Sequence, residues 1–451
     1  MGTRGYNHPY HYSALIKSIN LFINNILTKD NLVPINAIIP ATSYKCNHLL
    51  TQPALLKLPG SALRHYNALD FYMIKKVFPI LALSIFSSML GVGIIAPLLP
   101  LYAESLGATG IWLGVIFAGF SISRAIFMPI FGRLSDRSGR KPFIWVGLLA
   151  YSIISLGYIW ADSVTGLTLV RFLHGIAAGM IMPIAQAYVS DISPEGEEGT
   201  WMGYFNAAFF TGFGFGPLMG GALTEHFGMN AAFYSMGGLN LLAFLVVTLF
   251  LPEIRQRKMA ASLRLSFREM STSGIVKGLF SYRLSFALGR GAFATFLPIF
   301  AAIYVGLSPT LTGILLAVNI LLMALLQPYS GNIADRFNRR TLVVLGSLTN
   351  FIFLALIPLA HNFWQLLGLC AFGGLSGAIS MPAASALIVE EGRKFGMGST
   401  IALFAMTFSI GMAIGPLLSG VIVDLLNVNS AFYFAAGVAL LGSSLFFWFT
   451  K

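Results

Sequence analysis

The stretch Gly132-Arg133-Leu134-Ser135-Asp136-Arg137-Ser138-Gly139-Arg140-Lys141 is a basic polar knot between two long apolar runs. A second knot, Gly331-Asn332-Ile333-Ala334-Asp335-Arg336-Phe337-Asn338-Arg339-Arg340, lies 199 residues further on (331 − 132). The same offset carries Pro183 to Pro382, Asp191 to Glu390, Gly216-Pro217 to Gly415-Pro416, Gly221 to Gly420 and Ala232-Phe233-Tyr234 to Ala431-Phe432-Tyr433. One register held over this length marks a duplication, here of a membrane-embedded half.

Composition sets the class. Of 451 residues, 56% are hydrophobic and 10% charged, whereas a soluble chain is about a quarter charged. Apolar runs of bilayer length, separated by polar or Gly/Pro punctuation, fall at 77–101, 110–131, 142–161, 164–189, 201–223, 230–251, 285–306, 310–330, 341–360, 363–388, 399–423 and 430–449. The expectation is an all-α membrane protein of twelve transmembrane helices in two pseudo-symmetric six-helix halves, 73–251 and 284–451. A polar linker, 252–283, joins them and carries seven Lys and Arg.

Residues 1–72 do not match this pattern. They hold six Lys and Arg, four of the seven His, many Asn, and no run long enough to span. Met73 is followed by Ile-Lys-Lys and an apolar run, as at a cytoplasmic start before a first span. Residues 1–72 therefore read as sequence upstream of a natural start or a disordered extension, and second as an organelle presequence. Two cysteines, Cys46 and Cys370, make no disulfide framework, and Cys370 reads as a small packing residue.

The net charge of +12 is a topology signal. The Lys and Arg are neither in blocks nor interleaved with aromatics, which argues against nucleic acid. Loops after spans 2, 6, 8 and 10 hold Arg133, Arg137, Arg140, Lys141, the linker cations, Arg336, Arg339, Arg340, Arg393 and Lys394, while those after spans 1, 3, 5, 7, 9 and 11 hold none. Cations stay on the cytoplasmic side, so both termini are expected to be cytoplasmic, in a cytoplasmic (inner) membrane.

These motifs together resemble the major facilitator superfamily, and within it the twelve-span drug:proton antiporter branch of multidrug and tetracycline efflux transporters. The knot between spans 2 and 3 is similar to that family's Gly-x-Leu-x-Asp-Arg-x-Gly-Arg-Lys. Span 1 carries Leu90-Gly91 and then Pro97-Leu98-Leu99-Pro100, like the branch's first-helix motif. Span 4 has Arg171-Phe172-Leu173-His174-Gly175, similar to Arg-x-x-Gln-Gly with His174 in place of Gln. Span 5 has Gly212-x-x-x-Gly216-Pro217-x-x-Gly220-Gly221, which resembles the antiporter motif at every fixed position. The resemblance covers about residues 73–451. It implies an exporter of hydrophobic or amphipathic small molecules that works as a monomer in the lipid bilayer and exchanges substrate for protons, with the proton gradient as driving force and no cofactor.

The resemblance also implies roles. Gly132, Asp136, Arg137, Gly139, Arg140 and Lys141 would form a cytoplasmic gate, with Asp335 and Arg339 in the second copy. Asp136 would face the start of span 11 near Ser399, Arg137 or Arg140 would reach Asp191, Asp335 would stand near Thr200, and Arg339 near Glu390. The residues support such a cluster physically, because carboxylates suit helix N-termini and arginines pair with acids. A solvated basic loop that only sets topology is the bland alternative. Gly212, Gly216 and Gly220 at steps of four make a smooth stripe for close helix packing, and Pro217 frees a carbonyl and permits bending. A dinucleotide reading of the glycines fails, since position 219 is Met.

Arg124, Arg171 and Arg290 lie inside apolar runs, where a central charge costs about 2.5–3.5 kcal/mol. The repeat maps them to Met323, Cys370 and Gly91, so they break the duplication as a specialised site would. Arg124 and Arg290 can equally sit near helix ends and snorkel. His174 reads first as a hydrogen-bonded packing residue and second as a proton carrier. No Asp or Glu falls near the middle of any expected span, and Glu104 is at the outer end of span 1. Glu104, Asp191 and His174 remain the coupling candidates, and a cavity without fixed negative charge favours neutral, amphipathic or anionic substrates. Alternatives are a carrier for a specific metabolite such as a sugar, siderophore or lipid, proton-coupled or uncoupled, and a non-transporting sensor or enzyme. The sequence has no HExxH, phosphate loop or Cys/His set, so neither a metal site nor an enzyme is expected.

Overall fold

The computed structural model describes residues 60–193, 198–253, 270–395 and 397–451. The chain divides into two units, Met1–Lys75 and Lys76–Lys451, and the apolar spans lie in the second. Among the described residues the structure is helical: α1 (Gly60–Ile95), α2 (Leu99–Ser105), α3 (Gly110–Ser138), α4 (Lys141–Gly157), α5 (Val164–Ile192), α6 (Glu198–Phe227), α7 (Met229–Phe250), α8 (Gly274–Ile303), α9 (Pro309–Arg336), α10 (Arg339–Leu356), α11 (Phe363–Phe395), α12 (Met397–Leu425) and α13 (Val428–Thr450). Each expected apolar run coincides with one of these, the first with α1 and α2 together. Ten are long and apolar enough to cross a membrane; α4 is shorter at 17 residues.

Two boundaries differ from expectation. The first run is broken, because Pro97 and Pro100 cannot donate to a continuous helix. The chain turns at Ala96–Leu98, where Ala96 N–H donates to Gly93 O and Leu98 N–H to Ile95 O, both at 3.1 Å. The linker also ends earlier than 283. Ser273 caps α8 by accepting from Val276 N–H at 3.3 Å, so helix starts at Gly274. Arg283, counted as a linker cation, lies inside α8 with its guanidinium 4.9 Å from the Phe408 ring. Most linker cations, from Arg255 to Arg268, lie outside the described residues, as do residues 1–59.

Within each half, small residues bring backbones together. A Cβ at Gly212, Gly216 or Gly220 would strike the α1 backbone at Phe86, Gly93 or Ile94. Their repeat partners Gly411 and Gly415 meet α8 at Leu284 and Leu288. At Ser419, where the repeat leads one to expect Gly, a fully buried hydroxyl takes its place. Apolar side chains fill the remainder, with Phe233, Phe296, Phe300 and Phe432 in one continuous core.

Candidate transport machinery

The first knot is built around one buried side chain. Gly139 takes φ +97°, which favours glycine, and it ends α3 by donating to Ser135 O at 3.1 Å. The turn drops Arg140 into a closed setting. Its Nη1 donates to Asp136 Oδ1 at 2.7 Å and Ser135 Oγ at 3.0 Å, and its Nε donates to Asp191 Oδ2 at 2.9 Å. Of the two arginines expected near Asp191, the paired one is Arg140; Arg137 is exposed. Glu253, at the start of the linker, accepts from Arg140 N–H at 3.0 Å and fills the space a Cβ on Gly139 would need. Lys141 Nζ donates to Thr248 O at 2.9 Å, at the C-terminal end of α7, where a cation suits the helix dipole.

The second knot repeats this plan more loosely. Arg339 Nη1 is 3.5 Å from Glu390 Oε2. Arg340 donates to Thr450 O at 2.5 Å, capping α13 as Lys141 caps α7. Lys394 pairs with Glu391 at 2.7 Å, and Ser273 Oγ donates to the same carboxylate at 2.7 Å. The side chains of Asp335 and Ser399, and with them the expected contacts of Asp335 with Thr200 and of Asp136 with Ser399, lie outside the described residues.

At the ends opposite these knots the two halves meet in repeat-related pairs of close contacts. A Cβ on Gly114 would strike Pro416 O, and one on its repeat mate Gly313 would strike Pro217 O. Gly420 packs on Gly110, as Gly221 packs on Pro309. The span 5 motif therefore has two faces. Gly212, Gly216 and Gly220 serve packing inside one half, while Pro217 and Gly221 form the contact between halves. Gly132 and Gly331 have open space where a Cβ would be. Of the first-helix motif, Gly91 admits Met236 and Asn240 of α7.

Inside the helices, Arg171 is buried, with its guanidinium carbon 4.6 Å from the Phe120 ring centroid and 5.3 Å from that of Phe117. Its Nε and Nη1 make no hydrogen bond. His174, one turn on, meets Tyr158 Oη through Nδ1 at 2.7 Å and stacks edge-on with Tyr151 at 4.0 Å. Gly175 leaves room for Ser123 and the Phe120 carbonyl. Arg124 Nη2 is 3.7 Å from Met182 Sδ. In the other half Arg290 donates to Asn319 Oδ1 at 2.6 Å, and Asn319 donates to Cys370 O at 3.0 Å. The repeat equivalents of Asn319 and Cys370 are Phe120 and Arg171, so each half holds one guanidinium at a matching place, brought there by a different helix. Glu104 is exposed at the C-terminal end of α2, and the desolvation it does undergo raises its carboxyl from the ordinary value. No cluster of three or more His, Cys, Asp or Glu suited to a metal occurs among the described residues.

The family model for the Major Facilitator Superfamily matches residues 81–286 and 279–451. An uncharacterised MFS-type transporter of Methanocaldococcus jannaschii is 30% identical over 369 residues, covering 80% of this chain and 95% of the relative. The quinolone resistance protein NorA of Staphylococcus aureus is 29% identical over 380 residues, covering 82% and 95%. A crystal structure of a bacterial homologue of the human lysosomal transporter Spinster, inward-facing and unoccupied, aligns with TM-score 0.69 and 15% identity over 84% of this chain and 96% of that one. At that identity the likeness is one of fold.

Proposed function

Because the chain belongs to the major facilitator superfamily, and is thus a multi-pass membrane transporter of small molecules, we propose that it exports hydrophobic or amphipathic compounds in exchange for protons by alternating access. The observation that carries the reading is the asymmetry between the two membrane faces. On the face that lacks Lys and Arg, α3 packs on α12 and α6 on α9 at backbone distance. On the basic face, the ion pairs seen among the described residues each join residues of one half. This is how a carrier closed to the outside and ready to open inside is built. The basic knots then serve as the inner gate, in the inner membrane with both termini cytoplasmic. Gly132 and Gly331, open here, are read as the places where the other half closes in.

The direction and substrate class rest on likeness to the quinolone resistance protein and on the interior. Its charged groups among the described residues include Arg124, Arg171, Arg283 and Arg290, which favours neutral, amphipathic or anionic compounds over dications. The test is proton flux in inside-out vesicles challenged with dyes, antibiotics and metabolites. A substrate-dependent flux that is lost in Asp136→Asn, at unchanged protein level, is expected. An Asp136→Asn variant with normal flux would remove the gating role. No flux with any compound would favour a narrow or uncoupled metabolite carrier.

A further inference from the structure

The outer contact between the halves is closed by a pair of carboxylates. Asp424, at the end of α12, receives the N–H of Gly110 on Oδ1 at 2.5 Å and of Ile111 on Oδ2 at 2.8 Å. These are the first amides of α3, in the opposite half. Thr109, at the N-cap position of α3, makes no capping hydrogen bond of its own, so the other half supplies the cap. Glu225, at the end of α6, receives the Thr310 N–H at 3.1 Å at the start of α9, again across the halves. The offset of 199 carries Glu225 to Asp424 and Ile111 to Thr310. The two contacts are therefore one device, present twice and related by the pseudo-two-fold axis.

The first amides of a helix have no partner within it and attract negative charge. No Lys or Arg lies on any outer loop. The charge of each carboxylate is thus met by a helix start, which it loses as soon as the halves separate. Around Glu225 stand His226 on its own helix and Ser308 and Thr310 on α9; around Asp424 stand Val423 on its own helix and the α3 backbone. Other titratable side chains of the outer face include Tyr102, Glu104, Asp162, Tyr304 and His361.

We propose that Asp424 and Glu225 are the latches of the outer gate, and that a proton taken up by Glu225 from outside weakens it. The proposal rests on the alternating movement of the halves and is independent of substrate identity. The Thr310 side chain, Ser308 and the Thr310 amide beside it lower the Glu225 carboxyl from its ordinary value. A group depressed in the closed state favours that state while ionised, and the contribution fades as pH falls through the lowered value. Outer acidity therefore favours opening to the outside, the sense required for proton entry in exchange for an exported solute.

The test is the distance between spin labels on the purified full chain in nanodiscs, with Cys46 and Cys370 replaced. An outer pair sits at Ser105 and Leu426, and an inner pair at Ser138 and Ile401. The double variant Glu225→Gln/Asp424→Asn is expected to shift the outer pair toward longer distances at neutral pH, by roughly fivefold in population per latch. The parent is expected to show that shift only on acidification, and Asp424→Glu to keep the parental behaviour. An outer distribution unchanged by the double variant, or equally pH-sensitive with and without the carboxylates, would overturn the proposal. The inner pair separates this from the transport reading. If it fails to shorten when the outer pair lengthens, alternating access fails while the latches stand.

Discussion

The two basic knots share a plan and differ in depth. Arg140 and Asp191 meet at 2.9 Å with side chains 10% exposed each, while their repeat mates Arg339 and Glu390 meet at 3.5 Å with 35% and 50% exposed. The ionic chemistry is the same and its setting is not. A buried charge left without its partner is costly, about 3–5 kcal/mol, whereas an exposed pair is worth about 0–1 kcal/mol. The duplication thus produced one lock and one looser copy. Glu253 marks the difference, because it closes over Gly139 and Arg140, and position 338, where the second copy has Asn in place of Gly139, caps its own helix start by accepting from Arg340 N–H at 2.9 Å.

The largest expected effect is that of Arg140→Ala, which leaves Asp191 buried without its guanidinium. Thermal unfolding in detergent should show a loss of about 3–5 kcal/mol, and transport should fall with it. An Arg140→Ala protein as stable as the parent would break the contrast. A smaller effect is expected for Gly139→Ala, since φ +97° strains any side chain and the Cβ displaces Glu253. A loss of about 1–2 kcal/mol is expected, relieved in part when Glu253→Ala is added, because the clash then goes while the strain stays. Full additivity of the two changes would deny the contact. Smallest is Arg339→Ala, whose stability should change by about 0–1 kcal/mol, with a dependence on salt. A loss matching that of Arg140→Ala would make the knots equal.

Most of the fold was legible in the sequence, for a physical reason. A bilayer demands long apolar runs with internally paired backbone, and the offset of 199 repeats their punctuation. The pairing of Asp191 with an arginine was implied by the family resemblance and not by the residues alone. Which arginine was not, because Arg137 and Arg140 are alike in type and only the left-handed turn at Gly139 selects the buried one. Glu253 gave no signal, as a linker acid has no periodicity to betray its contact. Glu225 and Asp424 did carry one: they are acids at matching offsets at loops without cations. Their meaning appeared only when the helix starts of the opposite half were seen beside them. The break after Ile95 was written in Pro97 and Pro100, while the early start of α8 depended on the cap from Ser273.

The most direct test of the claim that one knot is locked and the other loose is a pair of double-mutant cycles on the purified protein. One combines Arg140→Ala with Asp191→Asn, the other Arg339→Ala with Glu390→Gln, both read by thermal unfolding. The predicted coupling is about 1.5–3 kcal/mol for the first, as for a buried charged hydrogen bond, and about 0–1 kcal/mol for the second. Equal couplings, or a larger one at Arg339 and Glu390, would contradict it.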